Sequence, residues 1–188
     1  MAVQYTSRTG KTYYLHAQTT KKGNTKYVFS LNQEGELVDT IPEGFEIYEN
    51  IGGQVFLRRI PKQIIQPEEL ALVEDALRRH GEDWKYRAEV KKNTIVVYEA
   101  GEMNGLDGIL AAYGRGPMSS TEKSRFANYM AVLRFVLEDS KSRQFVTERF
   151  CFMGGIDDWI FVDGPEALTD QLGKYIRHLG KESFYELF

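Results

Sequence analysis

Glu89-Val90-Lys91, with Asp75 or Asp83 upstream, has the residue types of a hydrolytic centre, since an acid-x-lysine pair beside a further carboxylate can hold a divalent cation and position an attacking water. The same spacing is common on exposed strands, and Lys91 opens an expected turn, so the structural account is preferred. Gly10-Lys11-Thr12 matches the end of a phosphate-binding loop. Tyr5 stands where that loop needs its first glycine, and the flanking strand and helix are missing, which excludes it. Asp157-Asp158 offers two adjacent carboxylates, too few ligands for a hard cation, and an exposed turn is the better explanation. His16, His80 and His178 show neither metal nor triad spacing, and the last two fall near the C-termini of expected helices, where their charge suits the helix dipole. Cys151, between Phe150 and Phe152, reads as a small buried hydrophobe. The expectation is therefore no catalytic residue, no metal site and no cofactor, and a protein that leans away from enzymatic function.

Charge is sorted along the chain. The first thirty residues carry five bases (Arg8, Lys11, Lys21, Lys22, Lys26) and no acid, while residues 31–50 carry six acids and no base. Such blocks create a directional field, either for a charged partner or for each other across neighbouring strands. Lys11, Lys21, Lys22 and Lys26, with Tyr14 and Tyr27, make a candidate nucleic-acid surface in which cations meet phosphates and rings stack on bases. The competing account has the acidic block lie beside the basic hairpin and neutralise it, with the aromatics facing the core. Arg134 and Glu148 interrupt two apolar strands and are expected to pair, because buried charges persist when partnered. Arg149 is then left for solvent or an internal acid, with an anionic ligand as the third reading.

These side chains need elements to position them. The chain has 188 residues, enough to bury about two-thirds of its unfolded surface without staples. A net charge of -3 gives no global attraction to nucleic acid or an anionic membrane, and no apolar run approaches a membrane span. The single cysteine forbids an internal disulfide, and the N-terminus lacks a signal peptide's apolar core, so a cytoplasmic location is expected.

Two hairpins open the chain. Residues 13–17 and 26–31 flank a two-residue loop Gly23-Asn24, which sets Thr20 opposite Tyr27 and Gln18 opposite Phe29, with Tyr14, His16, Tyr27, Phe29 and Leu31 on one face. Residues 45–50 and 55–60 turn at Gly52-Gly53, which sets Glu46 opposite Arg59 and Tyr48 opposite Leu57. Pro67 starts a helix through residue 79 with the stripe Leu70, Val73, Ala76 and Leu77. A third hairpin spans residues 84–99. Residues 101–120 are glycine-rich, an expected mobile loop with a short helix at 106–113. Residues 129–138 and 143–153 form a long hairpin whose loop Ser140-Lys141-Ser142 places Arg134 opposite Glu148, Val136 opposite Val146, Val132 opposite Phe150 and Met130 opposite Phe152, all on one face. After a turn at residues 154–158 comes a short strand, 159–162. Asp163-Gly164-Pro165 then starts a helix through Leu179, capped by Gly180.

The order predicts an α+β fold of mainly antiparallel hairpins with two principal helices, the C-terminal one packed on the long hairpin. An N-terminal hairpin subdomain over 1–64 and an α+β subdomain over 65–188, or one continuous domain, is the expected organisation. The expected function is a small binding or protein-interaction module with a protein partner. Nucleic-acid binding is the alternative, a metal-dependent hydrolase a distant third, and membrane association is not expected. Oligomeric state is not set by these residues.

Overall fold

The structure, a computed structural model, describes residues 2–103, 105–153 and 156–187. It is an α+β fold with every strand paired antiparallel. Two compact units divide the chain, Met1–Pro61 with Ser124–Phe126, and Lys62–Lys123 with Ala127–Phe188.

In the first unit, β1 (Gln4–Thr6), β2 (Thr12–Thr19) and β3 (Thr25–Ser30) form a sheet in that order, and β4 (Phe45–Glu49) pairs with β5 (Val55–Arg59). One turn recurs three times. Gly10, Gly23 and Gly53 donate to the carbonyls of Ser7, Thr20 and Asn50, whose own N–H groups reach Lys11, Asn24 and Gln54 at 2.9 Å. Each glycine has φ near +80° (80, 80 and 78), the geometry of a three-residue loop ending in a glycine bulge. This corrects both expected registers, which assumed two-residue loops. Tyr27 faces Ala17 and Lys26 faces Gln18, a slip of three, while Glu46 faces Arg58 and Tyr48 faces Phe56, a slip of one. An odd slip exchanges faces. Tyr14 and His16 therefore share a face with Lys26 and Val28, whereas Tyr27 and Phe29 join Tyr13 and Leu15, and Leu31 lies beyond the strand, exposed.

Residues 36–38 extend the edge that β1 begins. Ala17 N–H donates to Glu36 and Val38 N–H to Leu15, both within 3.0 Å, so β2 is paired along both sides. Leu15 and Val55 are buried, and Arg8 ties the unit by donating to the carbonyls of Ile51 and Ser124.

The second unit starts with α1 (Pro67–His80). Pro67 fits its first turn, Glu69 accepts from Gln66 N–H at 2.8 Å, and Arg78, Arg79 and His80 occupy the last turn, where cations oppose the dipole favourably. β6 (Tyr86–Lys91) and β7 (Thr94–Ala100) follow, then α2 (Leu106–Ala112) and α3 (Ser120–Phe126). Hydrophobic periodicity does not indicate α3. Its start is set by a capping box, in which Ser119 Oγ accepts from Glu122 N–H at 3.3 Å while Glu122 accepts from Ser119 N–H at 2.9 Å.

β8 (Tyr129–Asp139), β9 (Gln144–Met153) and β10 (Ile156–Ala167) complete a five-stranded sheet of order β10-β9-β8-β7-β6, and α4 (Leu168–Tyr175) runs into a 3-10 turn at Ile176–His178. Arg134 faces Glu148 and Val136 faces Val146, as expected, but the loop is longer than expected because the register shifts between Leu137 and Asp139. A bulge between Val97 and Tyr98 on the other side of β8 moves Val132 into the core cluster and pairs Met130 with Glu99, so neither shares the Arg134 face.

β10 is a larger correction. The expected short strand and early helix give way to a strand that keeps pairing through Glu166 and Ala167 across two irregularities, and α4 begins only at Leu168. Pro165 is tolerated because β10 is an edge strand. At Gly164 an added Cβ would lie 2.6 Å from the Phe145 carbonyl, so the edge can close here only without a side chain. Asp157 and Asp158 sit in this strand, not in a turn, and the Gly154-Gly155 turn lies outside the described residues.

The core lies on the sheet face under α1 and α4: Val73, Leu77, Ile95, Val97, Leu133, Phe135, Phe145, Leu168, Leu172 and Leu179. Each large side chain buried here contributes about 1.5–3 kcal/mol. Arg143, at φ 55°, bonds Glu69 through Nε at 2.8 Å and also through Nη2, fixing the start of α1 to the β8–β9 turn.

Candidate binding surface

Strand alternation puts a second, different set of side chains on the sheet face turned away from α1 and α4. Val146, Glu148, Phe150 and Phe152 of β9 point there, joined by Trp159 and Phe161 of β10, Arg134 and Val136 of β8, Val96 and Tyr98 of β7, and Arg87, Glu89 and Lys91 of β6. Phe152 and Phe161 are 52% and 58% exposed.

The aromatics interlock. Trp159 meets Phe150 edge-on at 5.3 Å, Phe150 meets Phe152 at 4.7 Å, and the Arg134 guanidinium lies 4.3 Å above the Trp159 ring while Nε donates to Glu148 Oε2. A ring and a carboxylate thus hold one guanidinium from two sides, which pre-organises it. Across the sheet, Lys91 lies 5.3 Å from the Tyr98 ring and Arg87 5.3 Å from Tyr129. Tyr98 donates to Glu89 at 3.1 Å, and burial pushes its hydroxyl pKa above the ordinary value; the Glu89 carboxylate supports this while nearby Lys91 opposes it. Formal charge on the face is slightly negative, with Arg87, Lys91 and Arg134 against Glu89, Glu148, Asp157 and, at the end of β8, Asp139.

The residues of the hydrolase constellation have other partners. Glu89 is held by Tyr98 and Lys91 on this face, Asp75 bonds Arg78 on α1 at 2.6 Å, and among the described residues no three His, Cys, Asp or Glu side chains group as metal ligands. His16 meets the Asn32 carbonyl, His80 the Leu179 carbonyl and His178 the Ser183 hydroxyl, each at 2.9 Å. Cys151 is buried on the core face.

The basic hairpin is split. Lys11 precedes β2 and Lys21 and Lys22 follow it, so its eight residues set them ~26 Å apart at ~3.3 Å per residue. All four lysines are exposed and make no ion pair among the described residues. The acidic block runs beside β2 at residues 36–38 but, among the described residues, forms no ion pair with these lysines: Glu46 pairs with Arg58 at 2.8 Å, and Glu49 accepts from Tyr5 and from Arg8 N–H. Tyr14 accepts from Gln33 at 2.8 Å, and Tyr27, on the opposite face, meets Phe45 edge-on at 6.3 Å. Arg149 is buried at 5% exposure and donates to the carbonyls of Leu187 at 2.7 Å and Tyr185 at 3.1 Å, holding the chain's last residues against the core face.

One signal in the sequence points to the aromatic face. Both faces of the long strands are apolar, yet two principal helices can cover only one side of a five-stranded sheet, so Phe150, Phe152, Trp159 and Phe161 fall on the face turned away from α1 and α4. Comparison with protein-family models, curated proteins and solved structures finds no match. Among the described residues no helix is long and apolar enough to cross a membrane.

Proposed function

We propose that this protein is a non-catalytic protein-interaction module of the cytoplasm whose contact surface is the β9–β10 part of the sheet face turned away from α1 and α4. The observation that carries the reading is the exposure of Phe152 and Phe161 at 52% and 58%, beside Trp159 and the Arg134 it carries. Contiguous exposed apolar patches mark interaction sites, and Trp, Tyr and Arg dominate the energetic centres of protein interfaces. Charge supports a protein partner with an apolar, weakly charged surface over a polyanion, because the face's three cations are met by four acids. The test is capture from lysate by the parent and by Phe152→Ser/Phe161→Ser, with and without nuclease. A defined protein retained by the parent, resistant to nuclease and lost with the double variant is expected.

A second reading keeps nucleic acid as the ligand of the β2–β3 hairpin, favoured by exposed, unpaired Lys21, Lys22 and Lys26. Its mark is a mobility shift that weakens steeply with salt, as counterion release requires. Three lysines at one tip support at most weak binding, and the reading expects none below the micromolar range.

A further inference from the structure

Helices α1 and α4 do not close completely over the side opposite the aromatic face. Between them lies a groove of about 440 Å³ lined by the exposed Leu72, by Ala76 and by the outer edges of the core residues Leu172 and Ile176, with Arg79 and Arg177 beside them. None of its nine lining residues is acidic. Arg79 makes no hydrogen bond or ion pair among the described residues, and Arg177 reaches only the His178 ring, Nε to Nε2 at 3.3 Å. In a chain of net charge -3, two arginines without acid partners beside an apolar lining are a local field seeking an anion.

Gly173 is an independent observation. It lies inside α4, where glycine is less favourable than alanine, yet beyond its own helix turn no atom stands within 4 Å of an added Cβ and its φ is ordinary. Nothing in its own surroundings requires glycine there. It lines the groove and is exposed, which leaves the helix backbone open to close approach from outside.

We propose that this groove is a docking site for an acidic amphipathic helix of a partner protein. The helix would lay leucine-type side chains against Leu72, pass close to Gly173 and set its carboxylates against Arg79 and Arg177. Helix-in-groove recognition uses this division between apolar anchors and flanking charge. The groove faces away from the sheet surface proposed above, so the two sites are independent.

The test uses the full chain, followed by amide chemical shifts, and a synthetic helix-forming peptide with leucines at i, i+3, i+4 and i+7 flanked by glutamates. A peptide with lysines for the glutamates and free dodecanoate serve as comparison arms. Saturable shifts confined to residues 72–80 and 169–177 with the acidic peptide alone, weakened at least ~tenfold by Arg79→Glu/Arg177→Glu, are expected. Gly173→Leu should block the site; should it fail to fold, the two arginine replacements, both at exposed positions, still decide. Absence of shifts, shifts elsewhere, or binding indifferent to charge reversal would overturn the proposal. Dodecanoate saturating the groove where the peptide fails would overturn it in favour of a small anionic amphiphile.

Discussion

Arg134 and Glu148 stand directly opposite each other on β8 and β9, the guanidinium donating to the carboxylate while lying 4.3 Å over Trp159. Their side chains keep 30% and 21% exposure, so the pair is half-buried. Removing one partner strands the other charge, whereas replacing both with apolar side chains removes the desolvation cost as well. Arg134→Ala should destabilise by roughly 1–3 kcal/mol, and Arg134→Met/Glu148→Leu by less, in urea titrations of each variant.

Arg143 separates a backbone effect from an ionic one. At φ 55° a Cβ is strained, while the guanidinium holds a buried Glu69 carboxylate. Arg143→Gly and Arg143→Ala both lose the pair, but only glycine relaxes the backbone. The alanine variant should be less stable than the glycine variant by about 1 kcal/mol, and equal stabilities would show that the left-handed position carries no strain.

Leu172 joins α4 to the core. Leu172→Ala should cost about 2–5 kcal/mol, and a chain ending at Gly164 should lose the parent's cooperative melt. Melting of that truncated chain at the parent temperature would make α4 an appendage.

Tyr175 gives the fold an alkaline limit. Burial pushes its hydroxyl from 10.0 up to about 12, with help from the 2.5 Å hydrogen bond it donates to Asp163. The unfolded chain releases this proton near pH 10 and the folded chain holds it until about 12. Its contribution to stability is therefore complete below pH 10 and is lost as pH rises through that window. Guanidinium titrations from pH 9 to 12 should show a shallower alkaline loss in Tyr175→Phe than in the parent. Asp163 has the opposite sign, because hydrogen bonds from Tyr175 and Lys174 hold its carboxyl below the ordinary value and that benefit fades in acid.

Long periodic elements were readable from the residues alone. Pro67 and the Val73/Leu77 stripe placed α1, and the opposite charges of Arg134 and Glu148 selected the β8–β9 register over its neighbour. The short hairpins were not, because glycine supports both two- and three-residue loops and one extra loop residue exchanges the faces. Pro165 misled for a related reason: a proline after glycine fits a helix start as well as a bulged edge strand, and only the pairing of Glu166 with Phe145 distinguishes them. The aromatic surface is a property of what α1 and α4 leave uncovered. Phe152 and Trp159 reveal their shared face only once β9 and β10 are paired.

The most direct test of the proposed function is site-specific photo-crosslinking in cells, with a photoreactive side chain at position 161 on the aromatic face, 22 on the basic hairpin, or 109 on α2. The account predicts a discrete protein adduct from position 161, unaffected by nuclease and lost on Phe152→Ser, with none from 22 or 109. Silence at 161, or nuclease-sensitive adducts from position 22, would contradict it.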